Sequence, residues 1–347
     1  MSLIPLQTRG AFSTAADKSH AQKGIISTMF DRPLGDAEYE KWSAGIDIYF
    51  TDWYEEQCGQ CERQISIATN AELMGIVAYL RDPQETRETT VQKLLASRQN
   101  TTHTELSNLN ASIDLAARMM LMMSIGDSSL SLPIGQSMQW KSGSLQSLIN
   151  EEFAPGTGPQ EICPFPKRFN ARYLKRIAGI KISWTSNLAD HLLMNDDEGR
   201  VSVFHNITFL KLHQQSTSVL LSDDLIAETI RTLALLFPSN SPTTRKYFEK
   251  LRKRYSLDPE AGACGHLKAN VRKMENFTHW GERLSILKQA FDDSEPSTIP
   301  QWWHDDRKRV QWWTFWIAAL VLFLTIVFGA ISSVTAIIQA RAAVKGP

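Results

Sequence analysis

The chain has 347 residues, of which 43% are hydrophobic, and its 37 basic and 37 acidic side chains cancel to a formal charge of zero. That apolar content supports a buried core and excludes global disorder, while the charge balance argues against a wholesale nucleic-acid coat. Four cysteines in a chain of this length do not make a disulfide scaffold.

Residues 1–35 are polar and without sustained period, which reads as a flexible segment. They hold no apolar run resembling a signal peptide. Arg9, Lys18 and Lys23 weakly suggest a transit peptide, but Asp17 and the lack of an amphipathic stripe count against one. Residues 36–154 read as a helical subdomain. Asn70 is placed to cap a helix over Ala71–Arg81, which Asp82-Pro83 ends, and Gln84–Ser97 follows with Val91, Leu94 and Leu95 on one face. Ile113–Ile125, with Met119, Met120, Met122 and Met123, is apolar nearly all round and reads as the central core helix. Cys58-Gly59-Gln60-Cys61 lies in a polar helical stretch with no strand before it, unlike a redox site. A zinc site would need two further ligands. Cys163 and Cys264 stand apart, His266 alone being close to Cys264, so neither metal nor cofactor is assigned.

Residues 155–167 carry four prolines and two glycines and read as a linker. Residues 168–291 read as a second helical subdomain with a small β-element. Its expected elements are a helix Phe169–Ala178, a strand Ile180–Trp184 and a short helix Asn187–Met194 capped by Ser186. A turn Asn195–Gly199 and a strand Val201–Phe204 follow, then a helix Asp223–Phe237 capped by Ser222, and helices Thr244–Tyr255 and Leu267–Phe291. Asp190-His191 would be an acid–base pair only on a shared face. Adjacent helical residues diverge, so a structural histidine is the expectation. Gly126-Asp127-Ser128-Ser129 lacks the second glycine of a nucleophile elbow, and Gly156-Thr157-Gly158 runs into Pro159 where a phosphate-binding helix would have to start.

Two basic clusters stand out. Lys167, Arg168, Arg172, Lys175, Arg176 and Lys181 occur without an acid between them, and Phe169, Tyr173 and Ile177 recur at helical spacing on the opposite face. Arg245, Lys246, Lys250, Arg252, Lys253 and Arg254 are interrupted only by Glu249. Such faces are either solvated or turned to anionic lipid headgroups. Helix–strand–helix–strand beside one cluster also suits a winged-helix reader, but membrane anchoring argues against a nucleic-acid partner.

Residues 292–311 read as a linker and tryptophan-rich juxtamembrane segment, in which Trp302, Trp303 and Trp312, with Trp313 and Trp316 just beyond, mark a membrane interface. Residues 312–340 read as a transmembrane helix. Gln311–Ala340 has no charge, and Phe315–Ile338 carries 14 Ile, Leu, Val or Phe residues. Thr325, Gly329 and Ser333 recur at four-residue spacing, which suits a homodimer or a protein partner packed against this helix. Residues 341–347 form a short tail. A single late span with no amino-terminal signal leaves the domain in the cytosol, on an endomembrane rather than a mitochondrial one. The sequons at Asn100, Asn110, Asn206 and Asn276 should then be unmodified, and Cys58, Cys61, Cys163 and Cys264 reduced.

Four runs carry a resemblance: Ile113–Met120, Trp184–Leu192, Glu228–Pro238, and Trp313-Thr314-Phe315-Trp316 opening the apolar helix. In this order, over roughly residues 100–340, the chain resembles a group of filamentous-fungal proteins with one carboxyl-terminal membrane helix. The resemblance implies that architecture and a fungal origin, and it brings no functional residues with it. The fold class expected is mainly α with a small β-element: a helical cytosolic domain plus one C-terminal transmembrane helix. The function expected is that of a membrane-anchored, non-enzymatic interaction or accessory protein. The alternatives are a membrane-bound enzyme of a fungal metabolic pathway and a lipid-surface or regulatory module using the basic clusters.

Overall fold

The computed structural model describes residues 15–61, 65–96, 103–126, 137–156, 164–217, 220–294 and 309–344. The chain is mainly helical with a small three-stranded sheet, and it divides into two units, Met1–Lys175 with Gly179–Asp293, and Arg176–Ala178 with Ser294–Pro347.

The first unit opens on α1, Ala15–Met29, where the sequence suggested a flexible segment. Ile25, Ile26, Met29 and Phe30 are buried, so tertiary packing orders a helix whose polar first half gives no amphipathic signal. Next come α2 (Asp36–Tyr49), a π turn (Phe50–Tyr54) and α3 (Glu55–Cys61) in one uninterrupted run. The wider turn brings Tyr49, Phe50, Trp53 and Tyr54 all into the core. The following helix, α4 (Asn70–Leu80), is capped one residue earlier than expected. Thr69 and Glu72 form a capping box, while the Asn70 side chain accepts a bond from the Tyr54 hydroxyl at 2.5 Å.

After α5 (Arg87–Ala96), the central helix α6 spans His103–Leu121. It ends earlier than Ile125, because Met122 has a left-handed φ of 50°. Its last carbonyls are buried and need donors. Trp53 Nε1 donates to the Arg118 carbonyl at 3.0 Å, the Tyr49 hydroxyl to that of Met119 at 3.0 Å, and His213 Nε2 to that of Met120 at 2.6 Å. His213 comes from beyond the proline-rich segment, and Tyr49 stacks on Phe209 at 5.2 Å from there as well. The two subdomains expected at 36–154 and 168–291 therefore share one core.

Then come α7 (Leu145–Glu152) and α8 (Ala171–Ile177). Strand β1 (Lys181–Thr185) pairs in parallel with β3 (Arg200–Phe204), and the short β2 (Met194–Asn195) pairs antiparallel on β3's other edge. Where a helix over Asn187–Met194 was expected there is one 3-10 turn, Leu188–Asp190, capped by Asn187. Leu192 breaks the run with a φ of 59°, and its N–H joins the Ser202 carbonyl instead. Helices α9 (Ile207–Gln214), α10 (Asp223–Leu236) and α11 (Pro242–Tyr255) follow, with Ser222 and Ser241 capping the last two. The helix expected over Leu267–Phe291 is shorter: α12 spans Gly281–Asp293, and 267–273 is a loop.

The second unit holds α13, Arg309–Val344. Its stretch Trp313–Arg341 is long and apolar enough to cross a membrane, with a mean hydropathy of 2.5 over its most apolar window. The Thr325 and Ser333 hydroxyls donate to carbonyls of their own helix, Val321 and Gly329, each at 2.8 Å. Trp302 and Trp303 lie outside the described residues, as does the Trp312 side chain.

Candidate anion-binding cleft

The residues that most invite a catalytic reading are structural. His191 is wholly buried; its Nδ1 accepts the Phe204 N–H at 3.1 Å, which leaves Nε2–H to donate to Thr232 Oγ1 at 2.7 Å. Burial and the nearby Arg283 guanidinium push its pKa down to about 3, so the ring stays neutral. Burial alone lowers His205 to about 4 and His213 to the same region, against its bond to the Met120 carbonyl. The Cys264 thiol donates to the Glu260 carbonyl at 3.3 Å, and burial pushes it up to about 12. Cys58 is buried, while Cys163 and the Cys61 side chain lie outside the described residues. Among the described residues no three His, Cys, Asp or Glu side chains gather as a metal would require.

A different site is built where the proline-rich segment re-enters the fold. Phe165, Phe169 and Phe277 are buried against one another, with ring centroids 4.9 Å apart for the first two and 5.7 Å for Phe165–Phe277. These anchors hold two distant stretches side by side. The Phe165 N–H donates to the Arg272 carbonyl at 2.9 Å, and Pro164 bridges Lys273 in antiparallel sense. A second clasp, Ser239 N–H to the Gly265 carbonyl at 2.9 Å, ties the α10–α11 connection to the same loop.

Between the clasps lies a cavity of about 600 Å³, within the range of small-molecule sites. Its lining includes Lys167, Arg168, Lys268 and Arg272, with His266 beside them, and no carboxylate among the described residues. Lys167, Arg168 and Lys268 are exposed, and Arg272 is half-buried. No salt bridge joins Lys167, Lys268 or Arg272 to an acid among the described residues. Arg272 Nε is buried and lacks a hydrogen-bond partner there, a donor whose desolvation is uncompensated. Ala234 and Leu235 from the end of α10, with Pro238, supply apolar lining, and Asn240, Ser241 and Thr243 lead into the positive first turn of α11. The end of α10 contributes about half a negative charge, which four cations outweigh.

The structure thus takes Lys167 and Arg168 from the first cluster and leaves Arg172, Lys175, Arg176 and Lys181 outside the lining. From the second, α11 brings only its start: Arg245, Lys246, Lys250, Lys253 and Arg254 are exposed beyond the cleft, and Arg252 pairs with Glu249 at 2.8 Å. Sequence reasoning missed Lys268 and Arg272, which lay inside the stretch Leu267–Phe291 read as helix, and singled out His266 only as a neighbour of Cys264. No family model, curated protein or solved structure matches the chain.

Proposed function

We propose that this chain is a membrane-anchored, non-enzymatic binding protein whose helical domain takes a polyanionic ligand in the basic cleft. One observation carries the reading: Lys167, Lys268 and Arg272 line a single cavity with no acid among its described lining residues, in a chain whose charges sum to zero. Like charges held together are self-repelling, and a bound anion relieves that cost. The buried histidines, held neutral at physiological pH, support binding rather than acid–base chemistry. In the same reading α13 anchors the domain on the cytosolic face of an endomembrane, and the chain is kin to the fungal single-span proteins through the four runs named above.

Inorganic pyrophosphate tests the cleft. Added to the full chain in neutral detergent, it should raise the thermal midpoint, since saturation at a hundred times Kd stabilises by about 2.7 kcal/mol. The double variant Lys268→Gln, Arg272→Gln should lose that shift while keeping its helical circular dichroism. An unchanged midpoint for the parent protein at millimolar pyrophosphate would overturn the reading.

A further inference from the structure

We infer that α11 is a docking face for an anionic bilayer, whose lipid headgroups it meets through a row of cations outside the cleft. The inference does not rest on the cleft. Helix periodicity sets up the face. Thr244 and Phe248 are buried and fix the inward side of α11. At about 100° per residue, Lys246, Lys250 and Lys253 fall within about 60° of one another on the opposite side. Arg245 and Arg254 flank them, and all five side chains are exposed. Among the described residues none of the five forms an ion pair, and the single acid of the helix, Glu249, is held by Arg252 at 2.8 Å.

Helix stability does not account for the row. Cations suit the last turn, where Lys253 and Arg254 meet the negative end of the helix dipole. Arg245 and Lys246 lie toward the positive end, in a helix whose first turn has no acid. Lys246 and Lys250, and Lys250 and Arg254, are like charges at four-residue spacing, which destabilises a helix. An external layer of anions relieves all of these together. The row from Lys246 to Arg254 runs roughly 12 Å along the convex outer side of one helix, which suits a plane of headgroups rather than an enclosed anion. Tyr255, 47% exposed, closes the row with the Arg254 guanidinium 5.3 Å from its ring centre. An amphipathic ring beside cations is suited to the headgroup level. The same chain holds a helix long and apolar enough to cross a membrane, which makes a bilayer the partner at highest effective concentration. Cytosolic leaflets carry anionic lipid, and each cation near such a surface strengthens association about five-fold.

The test reconstitutes the full chain in nanodiscs of phosphatidylcholine, alone or mixed with phosphatidylserine, and follows amine labelling of single lysines by mass spectrometry. In the mixed discs Lys246, Lys250 and Lys253 should label at least about five-fold more slowly than in the neutral ones, the worth of one surface cation. Salt at about 0.5 M should restore the rates. Lys246→Gln with Lys253→Gln should return Lys250 to its neutral-disc rate, and the thermal midpoint of that variant excludes misfolding as the cause. The cleft variant Lys268→Gln, Arg272→Gln should keep the protection, so that the cleft and the face fail separately. Protection lost in that variant would overturn the inference, since the cleft would then be holding the lipid. Equal rates in the two discs, or protection that persists at high salt, would overturn it as well. Protection in neutral discs by added polyuridylate, with none from phosphatidylserine, would overturn it in favour of a nucleic-acid partner.

Discussion

Glu228 is 1% exposed and ringed by donors. It accepts the N–H groups of Thr278 at 2.9 Å, His279 at 2.9 Å and Trp280 at 2.7 Å, and the Thr278 hydroxyl at 3.2 Å. One carboxylate therefore pins the approach to α12 onto α10. Glu228→Ala strands three N–H groups, at about 1–3 kcal/mol for each that stays buried, so its urea midpoint should fall steeply. Glu228→Gln, which keeps one acceptor oxygen, should fall less. Equal stability of Glu228→Ala and the parent would remove the clamp from the account. The buried histidines give the fold a pH dependence. Their folded pKa values, about 3 for His191 and about 4 for His205 and His213, lie below the 6.5 of an unfolded imidazole. As pH falls from 6.5 the unfolded chain binds protons first, so each histidine removes about 3 kcal/mol by pH 4. Asp258 acts oppositely. Burial raises it to about 6, so the folded state takes up a proton first and recovers about 2 kcal/mol over the same interval. Three losses against one gain predict a thermal midpoint that drops between pH 6.5 and 4. A flat or rising profile would contradict the assignment of neutral histidines.

Helix crossings show the same economy. Gly45 on α2 meets Thr208 on α9, and a Cβ there would overlap the threonine side chain. Thr208 cannot yield, because Asp258 holds its N–H at 2.6 Å and its hydroxyl at 3.0 Å. Gly45→Ala should therefore cost about 1–3 kcal/mol in urea unfolding. Gly75→Ala on α4, where nothing lies within 4 Å, should be neutral or gain up to about 1 kcal/mol from helix propensity. Equal effects of the two would refute the close crossing. What was legible in the sequence follows this divide between local and distant causes. Ser222 and the acids after it write the start of α10 into five residues, and the alternation of Lys181–Thr185 and Arg200–Phe204 shows both main strands. The stretch from Leu267 misled because Leu267, Val271 and Met274 mimic helical spacing, while the N–H groups of Val271 and Arg272 close a turn on the Lys268 carbonyl and the Arg272 carbonyl accepts from Phe165. The cleft was half legible for the same reason. Lys167 and Arg168 stand in an acid-free run, whereas Lys268 and Arg272 join them only through the pairing of Phe165 with Arg272.

At the level of the chain, the aromatic and histidine donors that close the end of α6 come from both sides of the proline-rich segment. A chain ending at Ser294 retains all of them. It should be soluble without detergent, helical and cooperative in thermal unfolding, whereas the full chain should stay in the membrane pellet after alkaline carbonate. Aggregation of the shortened chain with lost circular dichroism would show that the first unit cannot close its own core. The basic cleft has one more consequence for such a domain. Charges that sum to zero give the protein no monopole, so a remote anion exerts almost no net pull on it. Four cations gathered at one place still leave a dipole, and a dipole in a field feels torque. At physiological ionic strength that torque begins only within about 8 Å, the screening length. Encounter with a charged partner is thus a matter of turning at short range before it is a matter of attraction.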